Sequence, residues 1–161
     1  MKSRLLASLA LGAAVVLGAT GCSIISPQAT TIPYSPSDGV NVPDSGPVDV
    51  LNAMVIANED GSAGNFIAAL VNNSLEQQVV VIALEGGAAE IVTLAGGESV
   101  SLGVDEDPIL FTDLGFAPGA TAPMAFQSGD GEGVVAEIPV LDGALPYYSE
   151  FVPVEDEFIE D

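Results

Sequence analysis

The chain has 161 residues, with 23 Asp and Glu against 2 Lys and Arg and no His, for a formal net charge of −21. Lys2 and Arg4 are its only basic residues and Cys22 its only cysteine, so beyond Cys22 no side chain can form an ion pair, a disulfide or a thiolate–imidazole metal site. This excludes phosphate-neutralising contact with nucleic acid, disfavours anionic lipid headgroups, and leaves no His or Lys to activate a Ser or Thr nucleophile.

Residues 1–21 read as a secretory signal peptide: a basic start, an apolar stretch from Leu5 to Leu17, and a small-residue exit at Gly18-Ala19-Thr20-Gly21. The apolar stretch is short for a membrane span. Ala19-Thr20-Gly21-Cys22 resembles a bacterial lipobox. Small residues let the peptidase approach the backbone, and the Cys22 thiol accepts a diacylglyceryl group. Removal of residues 1–21 leaves a chain of normal size for one domain with a tether.

Residues 22–46 carry Pro27, Pro33, Pro36 and Pro43 among Ser, Thr, Asp and Gly without an apolar period, and read as a lipidated, disordered tether. As a flexible coil it would average roughly 27 Å from end to end. The run Pro33-Tyr34-Ser35-Pro36-Ser37-Asp38-Gly39-Val40-Asn41 is more specific than a spacer requires, and the sequence leaves open whether it packs on the domain.

Over residues 47–145, β-rich segments alternate with turn signals at short spacing, which predicts an all-β, Greek-key β-sandwich, cupredoxin-like or immunoglobulin-like. Strands are expected near 48–57, 64–73, 77–84, 88–94, 98–103, 109–113, 121–127 and 133–140. Turns at Asp60-Gly61, Asn72-Asn73, Gly86-Gly87, Gly96-Gly97, Pro118-Gly119 and Asp130-Gly131 separate them. Val79-Val80-Val81-Ile82 is apolar on both faces and predicts a central strand. Residues 146–161 form an aromatic and acidic C-terminal tail. In it Tyr147, Tyr148 and Phe151 either dock a cationic partner or, as the favoured reading has it, cover the sandwich.

Few constellations carry chemistry. Asp44-Ser45-Gly46 has the look of an aspartic-protease motif, but it has no second copy and suits a turn. Asp105-Glu106-Asp107 and Asn58-Glu59-Asp60 could offer oxygens to calcium, though neither matches an EF-hand loop. Met54 and Met124 are the thioethers that survive export, a poor copper site without His or Cys. Gly129-Asp130-Gly131-Glu132-Gly133 would repel a phosphate and suits a hairpin turn, and Asn72-Asn73-Ser74 satisfies the glycosylation sequon but also reads as a turn. No cofactor and no catalytic residue is expected.

The order of segments resembles a known family. The Pro33-to-Asn41 run, the Phe66-to-Ser74 strand and turn, and the Leu94-to-Leu102 hairpin are similar to LpqE-type lipoproteins of actinobacteria. Pro118-Gly119, Phe126 and Ile138-Pro139-Val140 continue the likeness. Those lipoproteins in turn resemble PCuAC-type periplasmic copper chaperones, which implies a cupredoxin-like sandwich. The chaperones' His and Met ligands have no counterpart to carry over here. The expectation is a non-enzymatic lipoprotein on the outer face of the cytoplasmic membrane, held through Cys22 acyl chains. It would act as a binding or assembly module for an envelope protein or cell-wall component. The alternative is a copper or divalent-cation carrier, and the third reading a carboxylate-dependent hydrolase.

Overall fold

A computed structural model describes residues 2–19, 37–87 and 89–154. The chain divides into two compact units, Met1–Tyr34 and Ser35–Asp161. In the first, Lys2–Ala19 forms helix α1, as the Ala- and Leu-rich composition favours. No described helix is long and apolar enough to cross a membrane. Cys22, most of the tether and the acidic end from Glu155 to Asp161 lie outside the described residues.

The second unit is a β-sandwich of nine strands: β1 Val40–Val42, β2 Val48–Ala57, β3 Gly64–Asn72, β4 Gln78–Leu84, β5 Ala89–Leu94, β6 Ser99–Leu102, β7 Ile109–Phe111, β8 Thr121–Ser128 and β9 Val134–Leu141. One layer is β1-β2-β3 with β6 and β7 side by side on β3, and the other is β5-β4-β8-β9. A short parallel pairing of β2 with β9, Val55 to Val140 and Ile56 to Leu141, joins the layers along one side. The connections β3–β4, β5–β6 and β7–β8 each cross between layers, which gives the Greek-key path.

Eight of these strands lie where alternation and turn residues predicted them. β7 stops at Phe111, ahead of the turn at 112–113, and β1 is a strand that the sequence did not announce. β1 comes from the stretch read as tether and pairs antiparallel with β2, Val40 opposite Ala53 and Val42 opposite Val50. Its approach depends on Gly39, where a Cβ would stand 2.6 Å from the backbone of Asn52.

Between the layers lies one apolar core. Val80, Ile82 and Leu84 of β4 face Val50, Phe66 and Leu70 of the opposite layer, and all are buried. Phe66 of β3 and Phe126 of β8 meet across it with ring centroids 5.9 Å apart. With no ion pair available to the described sandwich, the fold is carried by this burial and by the ladders. Its carboxylates take neutral donors instead: Asp49 accepts from Asn73 Nδ2 at 2.8 Å, Glu98 from the Ala95 N–H at 2.6 Å, and Glu137 from Thr121 Oγ1 at 2.8 Å.

A bulge in β2 decides which side chains reach the core. Its register with β3 shifts between Leu51 and Met54, and Asn52 sits at φ 51°, a left-handed conformation that Asn tolerates. One extra residue in a strand reverses the alternation beyond it. Hence Val48 and Val50 face inward before the bulge and Ala53, Val55 and Ala57 after it, which turns Met54 and Ile56 to the outer side.

Candidate functional site

The two outer faces of the sandwich differ. On the β2–β3 side, Met54, Ile56 and Ile67 form a second apolar cluster, closed over by Tyr148 with Leu141, Phe151 and Val152 packed against it. The segment after β9 reaches that face through a 3-10 turn at Ser149–Phe151, and Asn65 Nδ2 donates to the Phe151 carbonyl at 3.1 Å. The Tyr148 hydroxyl donates to Asp38 Oδ2 at 2.9 Å, tying this segment to the chain just before β1. Burial first, then the hydrogen bond and negative charge of Asp38, push the Tyr148 phenol up to about 12. Asp38 stands beside a second clasp: Asn52 Oδ1 accepts from the Ser37 hydroxyl and, at 3.1 Å, from the Gly39 N–H, and the Asn52 N–H donates to Asn41 Oδ1 at 3.0 Å.

On the opposite side nothing described covers the sheet. Since Val80, Ile82 and Leu84 point inward, Val79, Val81 and Ala83 of β4 point out. The register places Ile91 of β5 beside Val81, Ala125 of β8 beside Ala83, and Val135 of β9 beside Ala125. Ile91 is 67% exposed and Val135 56%. A shallow groove of about 300 Å³ runs over Val81, Ala83, Ala125 and Val135, with Gln127 and Glu132 along it. Beyond Val135 on β9, Glu137 stands exposed, so carboxylates flank an apolar centre.

The residues singled out in the sequence fall elsewhere. Met54 is 1% exposed in the outer cluster and Met124 0% exposed in the core, so the fold parts the two thioethers and wraps each in hydrocarbon. Asp105, Glu106 and Asp107 line the β6–β7 loop, all exposed, and Asp105 Oδ2 accepts the Ser101 N–H at 3.1 Å. Asn58 and Asp60 cap their own turn. Asn58 Oδ1 accepts the Ala63 N–H at 3.1 Å, and Asp60 Oδ1 accepts the Ser62 N–H at 3.0 Å, a bond that holds the Asp60 carboxyl below its usual range. Among the described residues no three of His, Cys, Asp or Glu are grouped to hold a metal ion.

Asp44 lies in a turn at φ 55°, followed by Ser45, which is buried and bonded to the Val48 carbonyl at 2.7 Å. Residues 129–133 form the turn of the β8–β9 hairpin. Asn72 is 1% exposed, its Nδ2 donating to the carbonyls of Glu76 and Ala95 at 2.8 Å each and its Oδ1 accepting from Ser74. This sequon asparagine therefore serves as an internal brace for the 73–77 loop rather than a sugar acceptor. Of the tail aromatics, Tyr148 and Phe151 are used internally, whereas Tyr147 stays 56% exposed with its ring edge against Tyr148.

The sequence reading did not select Val81, Ile91, Ala125 and Val135. Its signal was the β4 run, apolar on both faces, which implied burial on both. β4 is indeed internal to its sheet, between β5 and β8, but among the described residues no second layer lies on its outer side.

No family model and no curated protein matches this chain. Among solved structures, it is similar to a copper-bound PCuAC domain from PmoF2, with 13% identity and a TM-score of 0.49 over 63% of this chain and 97% of that one. It is also similar to an apo PCuAC domain from PmoF1, with 18% identity and a TM-score of 0.48 over 62% and 97%. The apo PmoF2 PCuAC domain gives 14% and 0.49 over 65% and 96%. At such identities no residue here inherits a role from theirs. What the chain's own topology and surface define is an all-β Greek-key sandwich with one outer face sealed by the segment after β9 and the other apolar and uncovered by any described residue.

Proposed function

We propose that this protein is a non-enzymatic binding module of the cell envelope, lipid-anchored through Cys22 and similar to the LpqE-type lipoproteins. Its open β5-β4-β8-β9 face receives a protein partner. The observation that carries this reading is that face: Val81, Ala83, Ala125, Ile91 and Val135 form one uncovered apolar surface on a chain whose other outer face is sealed. Contiguous exposed apolar surface on a soluble domain marks an interaction site. The acidic flank, Glu132 and Glu137, in a sandwich that has no described cation, selects a partner with an apolar centre and a Lys- or Arg-bearing rim, and opposes self-association through this face.

The test is photo-crosslinking in living cells from a reactive residue placed at Ile91 or Val135, with the still more exposed Val104 in the β6–β7 loop as a control. The reading expects one crosslinked species from the two sheet positions, carrying Lys or Arg in the captured peptide and absent from position 104. Equal capture from all three positions would overturn it. The anchor has its own check: Cys22→Ala should leave uncleaved precursor or release soluble protein, and a clickable fatty acid that still labels that variant would refute lipidation at Cys22.

A further inference from the structure

The sandwich is joined along β2 and β9, but among the described residues no pairing links β5 to β6 or β7, so the layers part at that side. A cavity of about 470 Å³ opens there, between the end of β4 with the turn that follows it and the loop after β7. Its inner wall continues the core. Leu84, Phe111 and Leu114 are buried at 7%, 3% and 1% exposure, and Leu110 and Phe116 complete the apolar lining. Its rim is of the opposite character: Glu85 and Glu90 from the β4–β5 side and Asp113 from the β7 side all line it, and all are exposed.

We infer that this cavity binds a small amphiphile with a hydrocarbon body and an ammonium head. The volume lies within the range of small-molecule pockets. Three carboxylates around one mouth raise the local potential against anions and in favour of cations, and no cationic side chain of the described sandwich exists to neutralise them from within. The apolar wall supplies what the carboxylates lack, since a bare inorganic cation would leave the part-exposed Leu110 and Phe116 uncovered and would find its oxygens spread over a rim rather than gathered. A fatty acid fits the wall and is repelled at the mouth. This site faces the interior of the sandwich, on the side of the sheet opposite the partner-binding face, so the two stand or fall separately.

Octyltrimethylammonium and octanoate, each below its micelle concentration, share a chain and differ in the sign of the head. Titrating each into the full chain carrying Cys22→Ala, with amide shifts followed by NMR, tests the inference. The cation should give saturable shifts confined to residues 84–90 and 110–116, and octanoate should bind at least about tenfold more weakly. The Glu90→Gln, Asp113→Asn double variant preserves the shape of the rim and should lower affinity for the cation by about tenfold. Equal binding of octanoate, an unchanged affinity in the double variant, shifts centred on Val81 and Val135 instead, or no saturable shift at all would each overturn it.

Discussion

The β2–β3 face and the β4–β8 face of this sandwich start from the same problem and reach opposite outcomes. Each presents apolar side chains to the outside: Met54, Ile56 and Ile67 on one, Val81, Ile91 and Val135 on the other. The first set is sealed by the chain's own segment around Tyr148, Phe151 and Val152, so its burial stabilises the fold. The second is left open, where the same chemistry contributes nothing to folding and is available to a partner. Apolar surface gains free energy only when it leaves water, and among the described residues only one of the two faces is covered by the chain itself.

The sharpest way to break this comparison is truncation on each face. Ile56 is fully buried under the C-terminal segment, and Ile56→Ala should cost about 2–5 kcal/mol in denaturant unfolding, the range for emptying a sealed aliphatic site. A loss under about 0.5 kcal/mol, the level of a surface substitution, would mean that the seal is not formed in solution.

A smaller effect probes the seal itself. Tyr148→Phe removes the hydrogen bond to Asp38 and should cost about 1 kcal/mol near neutral pH. The contribution depends on pH in a defined sense. In the folded chain the phenol holds its proton to about pH 12, against 10.0 for an unperturbed tyrosine, so the folded state favours the protonated form. The stabilisation is therefore complete below pH 10 and lost as pH rises toward 12. Melting temperatures of wild type and Tyr148→Phe should differ by a constant amount up to about pH 10 and converge above it. A difference that stays constant through this window would show that Tyr148 is not held against Asp38.

On the open face the expected change is the smallest. Ile91→Lys and Val135→Lys should each leave unfolding free energy within about 0.5 kcal/mol of wild type, because both side chains are more than half exposed. The same substitutions should remove the partner crosslink. A large loss of stability from either would show that this face is covered by the chain itself and is no docking surface.

Much of the architecture was legible because its signals are local. Alternation and paired turn residues placed eight strands, and the Gly129–Gly133 run was readable as a hairpin turn, since two-residue periodicity and positive-φ glycines are properties of the chain within a few positions. The lack of any Lys, Arg or His after Arg4 likewise constrains partners by composition alone. The candidate site was harder to read. Periodicity tells that β4 has two apolar faces, but which of them finds a covering layer depends on segments distant in sequence. Here the segment around Tyr148 reaches the β2–β3 face, and no described segment reaches the outer face of β4.

The sequence by itself determined the strand content, the acidic surface, and the want of imidazole, thiolate or amine chemistry beyond Cys22, because composition and short-range pattern suffice for these. The tertiary structure alone decided the rest. The bulge at Asn52 reverses the alternation of β2 and sends Met54 outward while Met124 stays in the core, so two thioethers that a linear reading left free to converge end in separate apolar clusters. The docking of 148–152, tied to Asp38, then covers one face, and no described residue covers the other. Both outcomes rest on contacts between residues up to 110 positions apart, such as Asp38 with Tyr148, and no local pattern encodes which distant segment will arrive.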